Sequence, residues 1–349
     1  MNNILLMVLA AGAGFSVTAL LGFLIIPWLL KLKFGQVILD IGPIWHKHKQ
    51  GTPTMGGIMF ILGTFAAIIV GMVTARMMGS NIYLSDSAVP LVVAEMKTKL
   101  WSGMLMALSF ALVGFADDYI KVIQKRNMGL NFKQKTIMQL IIALAFLSSL
   151  FMGMGGTPYM FVPFIGNVNM GVFHWLFGVC VLYGTINAVN FTDGIDGLCS
   201  SVTITAAVAL GIIAAMRGLF GVSLVAAALA GACGGFLVWN RKPAKVFMGD
   251  TGSMFLGGMI VALAYALGCP LILLPVGLIY VIEALSDVIQ ILYFKATKGK
   301  RFFKMAPIHH HFEKSGWGEN KIVLVFTAVN LVGCVVGILL MYYGGYYIK

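Results

Sequence analysis

Acidic residues are scarce in this 349-residue sequence, and several lie in short polar motifs that could do chemistry. Asp117 and Asp118 are adjacent, and Lys121 follows them. Neighbouring residues on a helix point about 100° apart, so the two carboxylates are expected to meet different partners. One could bind Mg²⁺ and the other could handle a phosphate or a proton, with Lys121 reaching an anion. The alternative is a solvated helix end, although carboxylates there oppose the helix dipole.

A second motif carries Asn187, Asn190, Asp193 and Asp196 at intervals of three residues. This spacing predicts a polar stripe on a helix, and the glycines at 194 and 197 predict that the helix unwinds into a loop. Amide and carboxylate oxygens suit a cation or a nucleotide. The alternative is a capped turn, since Asn, Asp and Gly are common turn residues.

A third motif places Asp250 between two glycines, with Thr251 and Ser253 close by. These three side chains could simply cap the helix that follows. The functional interpretation is that the flanking glycines let a phosphate or Mg²⁺ come close to the backbone.

Two further motifs are basic. Residues 306–313 include three consecutive histidines, which cannot easily converge on one zinc ion and have no cysteine beside them. Imidazoles lying beside phosphates in a loop are the better interpretation, with a plain surface run as the alternative. Residues 47–57 offer Lys49, Thr54 and flexible backbone, but alone they are typical of any positively charged loop.

The composition predicts what must position these motifs. Hydrophobic residues make up 60% of the chain and charged residues 10%, with a mean hydropathy of +0.94. These values exclude a soluble enzyme and a disordered chain. Without the alternation of a membrane barrel, strands are not expected. The prediction is an all-α polytopic membrane protein, with residues 1–349 as one domain and ten spans: 4–30, 57–74, 101–116, 137–154, 172–189, 199–216, 218–238, 254–269, 271–294 and 322–344.

The basic residues orient these spans. Of the 24 Lys and Arg residues, 19 fall in the loops after odd-numbered spans and 5 on the other side. The positive-inside rule makes the richer side cytoplasmic and both termini extracytoplasmic. The polar motifs then share the cytoplasmic side. The net charge of +12 follows from this topology, so it is no indication of nucleic-acid binding.

The ninth predicted span contains Glu283, Asp287 and Gln290 at helical spacing. These residues share one helix face, which should point into the bundle because charge in lipid is costly. A structural polar network between helices would explain them equally well.

Carboxylates together with lysines and histidines fit a phosphorylated substrate that carries Mg²⁺. Two other classes remain open. A prenyltransferase would show two Asp-rich motifs facing one cavity, and a transporter would place its ionisable residues near the membrane midplane.

Five segments together resemble the phospho-N-acetylmuramoyl-pentapeptide transferase family, the bacterial branch of the polyprenyl-phosphate N-acetylhexosamine-1-phosphate transferase superfamily. They are GTPTMGG at 51–57, FADDYIK at 115–121, NAVNFTDGIDGL at 187–198, PAKVFMGDTGS at 243–253 and MAPIHHHFEKSGWGE at 305–319. The resemblance covers nearly the whole chain, with the segments in order.

The resemblance implies a reaction in which UDP-MurNAc-pentapeptide and undecaprenyl phosphate give lipid I and UMP with Mg²⁺. It also implies ten helices with both termini outside, a homodimer among the lipids of the bacterial inner membrane, and an active site on the cytoplasmic face. Two routes stay open: direct attack on the phosphorus attached to the sugar, and a two-step route through a covalent aspartyl intermediate.

By the same resemblance, the catalytic residues would be Asp117, Asp118, Asp250 and His309, with Asp250 as the Mg²⁺ ligand. The substrate would be bound by Lys49, Thr54, Lys121, Asn187, Asn190, Asp193, Asp196, Phe247, Ser253, Gln290 and His310.

Overall fold

The computed structural model describes residues 2–32, 49–79, 90–123 and 129–346. These residues are mostly helical, which confirms the predicted all-α class. The helices are α1 Asn2–Lys31, α2 Gly57–Met77, α3 Pro90–Ile123, α4 Phe132–Gly153, α5 Phe173–Thr192, α6 Leu198–Met216, α7 Phe220–Asn240, α8 Gly249–Ala266, α9 Leu273–Val276, α10 Leu278–Ala296, α11 Ile308–Glu313 and α12 Glu319–Tyr343. The charge count also used Lys33, Lys47, Lys125, Arg126 and Lys349, which lie outside the described residues.

Among the described residues, eight helices are long and apolar enough to span a membrane, namely α1 to α7 and α12. They match the first seven predicted spans and the tenth, and the polytopic prediction is confirmed. The ninth predicted span is broken, because α10 turns away from the segment Pro270–Val276 by 85°. The eighth corresponds to α8, which is buried along nearly its whole length and lies inside the bundle. The orientation of the termini stays a prediction.

The expectation that the chain has no strands is wrong for one short segment. Strands β1 Tyr159–Val162 and β2 Gly166–Asn169 form an antiparallel hairpin. Each has only four residues, too few for a visible alternation. The amide of Phe161 donates to the carbonyl of Gly268, 2.8 Å away, so the hairpin packs just after the end of α8.

Helix α3 is longer at its C-terminal end than the sequence predicts. The predicted span stops at residue 116, where the apolar run ends, but the helix continues to Ile123. Asp117 Oδ2 and Lys121 Nζ are 2.5 Å apart, one helical turn along. Such a pair, with the acid first, stabilises a helix, so Asp117 and Asp118 lie within α3 and not after it.

Helices α3 and α8 cross with their backbones in close contact. A Cβ placed on Gly258 would lie 2.7 Å from Ala107 Cα, and one placed on Gly114 would lie 2.2 Å from the carbonyl oxygen of Asp250. Small residues let helices approach this closely in a membrane, where packing drives association. The crossing sets the last turns of α3 against the first turn of α8.

Substituting Gly114 tests this crossing. We expect Gly114→Ala to lower stability in detergent by about 1–3 kcal/mol, because the new methyl group overpacks a backbone contact. The measurement is the thermal unfolding midpoint followed by tryptophan fluorescence. Gly12→Ala in α1 is the matched control, since a Cβ there has nothing within 4 Å. Equal midpoints for the two variants would contradict the close crossing.

Candidate active site

Three carboxylates converge where α3 meets α8. Ligand oxygens of Asp117, Asp118 and Asp250 all lie within 4.8 Å of one another. Asp117 and Asp118 are each only 3% exposed, and Asp250 is half-buried. Carboxylates this close and this buried repel one another and need hydrogen-bond donors or cations. We refer to these three residues as the acid cluster.

Asp118 receives its hydrogen bonds from the first turn of α8. Its oxygens accept from the amide of Asp250 at 3.2 Å, from the amide of Thr251 at 2.9 Å and from the Thr251 hydroxyl at 2.7 Å. Free amides at a helix start are the natural partners of a carboxylate. The interpretation that Asp250 and its neighbours cap their own helix is wrong, because Met248 is the N-cap and makes no side-chain cap bond. Asp118 caps α8 from another helix.

Two lysines neutralise the rest of the acid cluster. Lys121 Nζ donates to Asp250 Oδ2 at 3.0 Å and pairs with Asp117 as well. Lys135 Nζ reaches the same oxygen of Asp250 at 2.9 Å. Asp117 Oδ1 accepts from the amide of Leu130 at 2.8 Å. The three aspartates and two lysines together therefore carry a formal charge of −1.

Lys135 is a site residue that the sequence reasoning missed. It lies in the first turn of α4, whose N-cap Asn131 and Gln134 form a reciprocal capping box. That Asn-x-x-Gln spacing is a readable signal of a helix start. It would have placed Lys135 at the same end of the bundle as Asp117.

Asn190 and Ser253 belong to the acid cluster's surroundings. Asn190 Nδ2 lies 2.8 Å from Asp250 Oδ1 and 2.8 Å from Ser253 Oγ. Asn187, one turn earlier on α5, has different partners. Its amide donates to Gln139 Oε1 at 3.0 Å and does not contact the cluster.

The side chains of Lys49 and Asp196 form a buried ion pair with each other. Lys49 Nζ lies 2.6 Å from Asp196 Oδ1 and 2.8 Å from Glu319 Oε2, and Lys242 Nζ lies 3.2 Å from the other Glu319 oxygen. We call these four residues the ion-pair network. Sequence reasoning missed Glu319, which is 123 positions from Asp196 and begins α12.

Asp193 lies in the loop that joins α5 to α6. Within the described residues its half-buried carboxylate has no hydrogen bond or ion pair. Burial, and then the charges of Asp250, Asp118 and Asp196, raise its pKa well above the ordinary value. An acid in such surroundings is poised to accept a hydrogen-bond donor or a cation.

Thr54 and Phe247 are held together by backbone pairing. The amide of Phe247 donates to Pro53 O and its carbonyl accepts from Gly56 N, both at 2.8 Å. Gly249 has a positive φ of 69°, and a Cβ on it would meet Asp118 Oδ2 at 2.5 Å and Thr54 Oγ1 at 2.8 Å. The Thr54 hydroxyl therefore lies beside the acid cluster, and only glycine fits between them.

The histidines lie on the six-residue helix α11, in the segment that connects α10 to α12. Each of the three has a different partner. His309 Nδ1 lies 3.0 Å from Glu283 Oε2, His310 Nδ1 lies 2.6 Å from Glu313 Oε2, and His311 Nδ1 accepts from the amide of Lys304. A Cβ on Gly194 would lie 2.1 Å from His309 Nε2, so this ring packs against the Asp193 loop.

The polar face of α10 points inward, as predicted. Glu283 is fully buried, while Asp287 and Gln290 are half-buried. Leu285 and Val288, on the other side of α10, are exposed. Gln290 Oε1 accepts from the amide of Phe303 at 2.9 Å, so it holds the segment before α11.

This arrangement can bind a divalent cation and a phosphate together. Clustered carboxylate oxygens are the ligands that Mg²⁺ prefers. Lysine ammonium groups that pair with those carboxylates can turn to phosphate oxygens once a cation takes their place.

Comparison with known proteins places the chain. The model of glycosyl transferase family 4 matches residues 100–268, which include the whole acid cluster. A relative from Desulforamulus reducens named phospho-N-acetylmuramoyl-pentapeptide-transferase is 44% identical over 95% of this chain and 94% of its own length. The chain belongs to the phospho-N-acetylmuramoyl-pentapeptide transferase family. Transferases of the same name from Bacillus anthracis and Bacillus cereus are 42% identical over 95% of the chain and 97% of their own length. Signature 1 of these pentapeptide transferases matches residues 49–61, which include Lys49 and Thr54.

The isolated carboxylate gives this family member a pH-dependent stability. Because the pKa of Asp193 is higher in the folded than in the unfolded protein, the folded state loses stability as the pH rises above about 4, until the folded pKa is passed. We therefore expect Asp193→Asn to stabilise the protein more at pH 8 than at pH 5. Thermal midpoints of both proteins in detergent at the two pH values measure this. A gain that is the same at pH 5 and pH 8 would contradict the shifted pKa.

Proposed function

We propose that the protein transfers phospho-MurNAc-pentapeptide from UDP-MurNAc-pentapeptide to undecaprenyl phosphate, forming lipid I and UMP. The observation that carries this proposal is the acid cluster with its two lysines, in a chain 44% identical to a protein of that name. Both substrates carry phosphates, and phosphoryl transfer depends mainly on positioning and charge neutralisation.

Magnesium fits the acid cluster. Asp250 is the proposed ligand, because its two lysine partners can leave it for phosphate, and Asp117 lies beside it. When bound, the ion would neutralise charge on the pyrophosphate and on the departing UMP.

The two adjacent acids divide their work. Asp118 is engaged by three donors from α8, so we assign it the positioning of Asp250. Asp117 holds Lys121 and accepts from the amide of Leu130, so we assign it to the lipid phosphate through the ammonium group of Lys121. A phosphate monoester has a second pKa near 6, so at neutral pH it needs little help from a base. This favours direct attack on the phosphorus attached to the sugar.

The nucleotide and sugar are assigned to the region around the loop after α5. Asn190 and Ser253 lie at the acid cluster, and Asp193 offers an unpaired acceptor. Lys49 and Asp196, two members of the ion-pair network, are assigned to the same region. Phe247, Thr54 and His309 pack against these elements and are assigned here as well. Asn187, Gln290 and His310 bond to Gln139, Phe303 and Glu313, so their substrate contacts are proposed from the family resemblance alone.

We also infer that the enzyme lies in the bacterial inner membrane with its site on the cytoplasmic face. The proposed homodimer rests on the family resemblance alone. The 19 to 5 distribution of basic residues supports the orientation. Asp250 lies in the first turn of α8, and the hairpin contacts Gly268 just after the last turn. The two positions are about 27 Å apart along the helix axis.

A transfer assay tests the proposal. The purified protein is incubated with UDP-MurNAc-pentapeptide and undecaprenyl phosphate, with and without Mg²⁺, and UMP release is measured. We expect Mg²⁺-dependent release, little release from UDP-GlcNAc, and a loss of at least about 100-fold in Asp250→Asn, because a metal ligand is removed. Near-normal turnover in a folded Asp250→Asn variant would refute the metal assignment.

Lys135 offers a matched pair of variants. We expect Lys135→Gln to lower kcat/KM by about 10- to 100-fold, the effect of losing one charged hydrogen bond to phosphate. Lys133→Gln, two positions earlier on the exposed side of α4, should stay within about twofold of the wild type. A similar loss in both variants would indicate a general charge effect and not a phosphate contact.

A further inference from the structure

A carboxylate and an imidazole form a closed pair inside the bundle. Glu283 on α10 and His309 on α11 are both 0% exposed, and Glu283 Oε2 lies 3.0 Å from His309 Nδ1. Among the described residues, the second Glu283 oxygen and His309 Nε2 are buried without a hydrogen-bond partner. A buried carboxylate is costly unless it is paired, and His309 supplies the one polar contact of this side chain.

This contact decides the protonation of the ring. An ionised carboxylate only accepts hydrogen bonds, so Nδ1 of His309 must carry the proton that it donates to Glu283. The opposite nitrogen, Nε2, then presents either a lone pair or, on the imidazolium, a second donor. A carboxylate held at Nδ1 fixes the tautomer and the orientation of the ring.

The free nitrogen faces the substrate region. A Cβ on Gly194 would lie 2.1 Å from His309 Nε2, and Gly194 follows Asp193 in the loop after α5. The other titratable groups around the ring are His310 on α11, Asp287 one turn further along α10, and Asp193. A buried nitrogen without a partner calls for one, and the loop after α5 that covers this nitrogen belongs to the region proposed for the nucleotide.

We propose that Glu283 is a positioning residue, which holds the His309 ring so that Nε2 can contact a phosphate or sugar oxygen of the nucleotide substrate. This rests on the proposed transferase function and adds a residue to it. Glu283 is bonded to Nδ1, whereas Nε2 packs against Gly194, so Glu283 acts on the substrate region through the ring.

Glu283→Gln tests the proposal, because it keeps the shape and removes the charge. We expect kcat for UMP release to fall by about 10- to 100-fold, as when other outer partners of functional histidines are removed. The limb of the pH–rate profile that depends on the protonation of His309 should move to lower pH, because the imidazolium loses the neighbouring negative charge. A merely structural residue would not move this limb.

A double-mutant cycle separates positioning from general damage. His309→Gln keeps a donor for the buried carboxylate, and in this background Glu283→Gln should cause no further loss of kcat. If Glu283→Gln does not give folded protein in detergent, Glu283→Asp replaces it in the cycle, with a smaller loss expected and the pH limb near that of the wild type.

The outcomes are distinct. A wild-type kcat and pH profile in Glu283→Gln overturns the positioning role, and so does an undiminished loss in the His309→Gln background. If the wild-type protein itself releases no UMP, the proposed transferase function fails and this inference fails with it.

Discussion

The repulsion among three clustered carboxylates is the constraint on which the site depends. Asp117, Asp118 and Asp250 come together because two helices pack closely at small residues. Their charge is met in two different ways, by the amides at the start of α8 and by two lysines. The amides are fixed, whereas the lysines are long and flexible. The contacts with the amides therefore stay in place, whereas the contacts with the lysines can be exchanged for contacts with phosphate. The proposed binding and release of phosphates requires both.

Much of the fold follows from the sequence because a membrane leaves few choices. Apolar length alone identified the spans that became α1 to α7 and α12, since a spanning segment must satisfy its own backbone. The predicted helix ends were less accurate where charged residues follow an apolar run but the helix continues. Helix α3 passes through Asp117 because the pair with Lys121 stabilises the added turns, and a hydropathy pattern does not contain that information. The hairpin was missed because four-residue strands show no period.

The candidate site was predictable in its members and not in its contacts. Motif spacing selected Asp250 and Asp118, but the capping of α8 by Asp118 joins residues 133 positions apart. Lys135 was within reach of local reasoning, through the capping box that starts α4. Glu319 was not, because only the folded chain brings it near Lys49. Helical spacing placed Glu283 on an inward face, but it could not identify His309 as its partner. Residue types indicate the chemistry, and tertiary contacts decide which group is free to perform it.

The bond between Lys49 and Glu319 has a consequence for biogenesis. It joins positions 270 residues apart, one before the second helix and the other at the start of the last. A chain emerging from the ribosome inserts its early helices long before residue 319 has been translated. Until then Lys49 lacks one of its two carboxylate partners, because Glu319 has not been synthesised. The ion-pair network can therefore be completed only after residue 319 has been translated, whatever the order in which the preceding helices enter the bilayer.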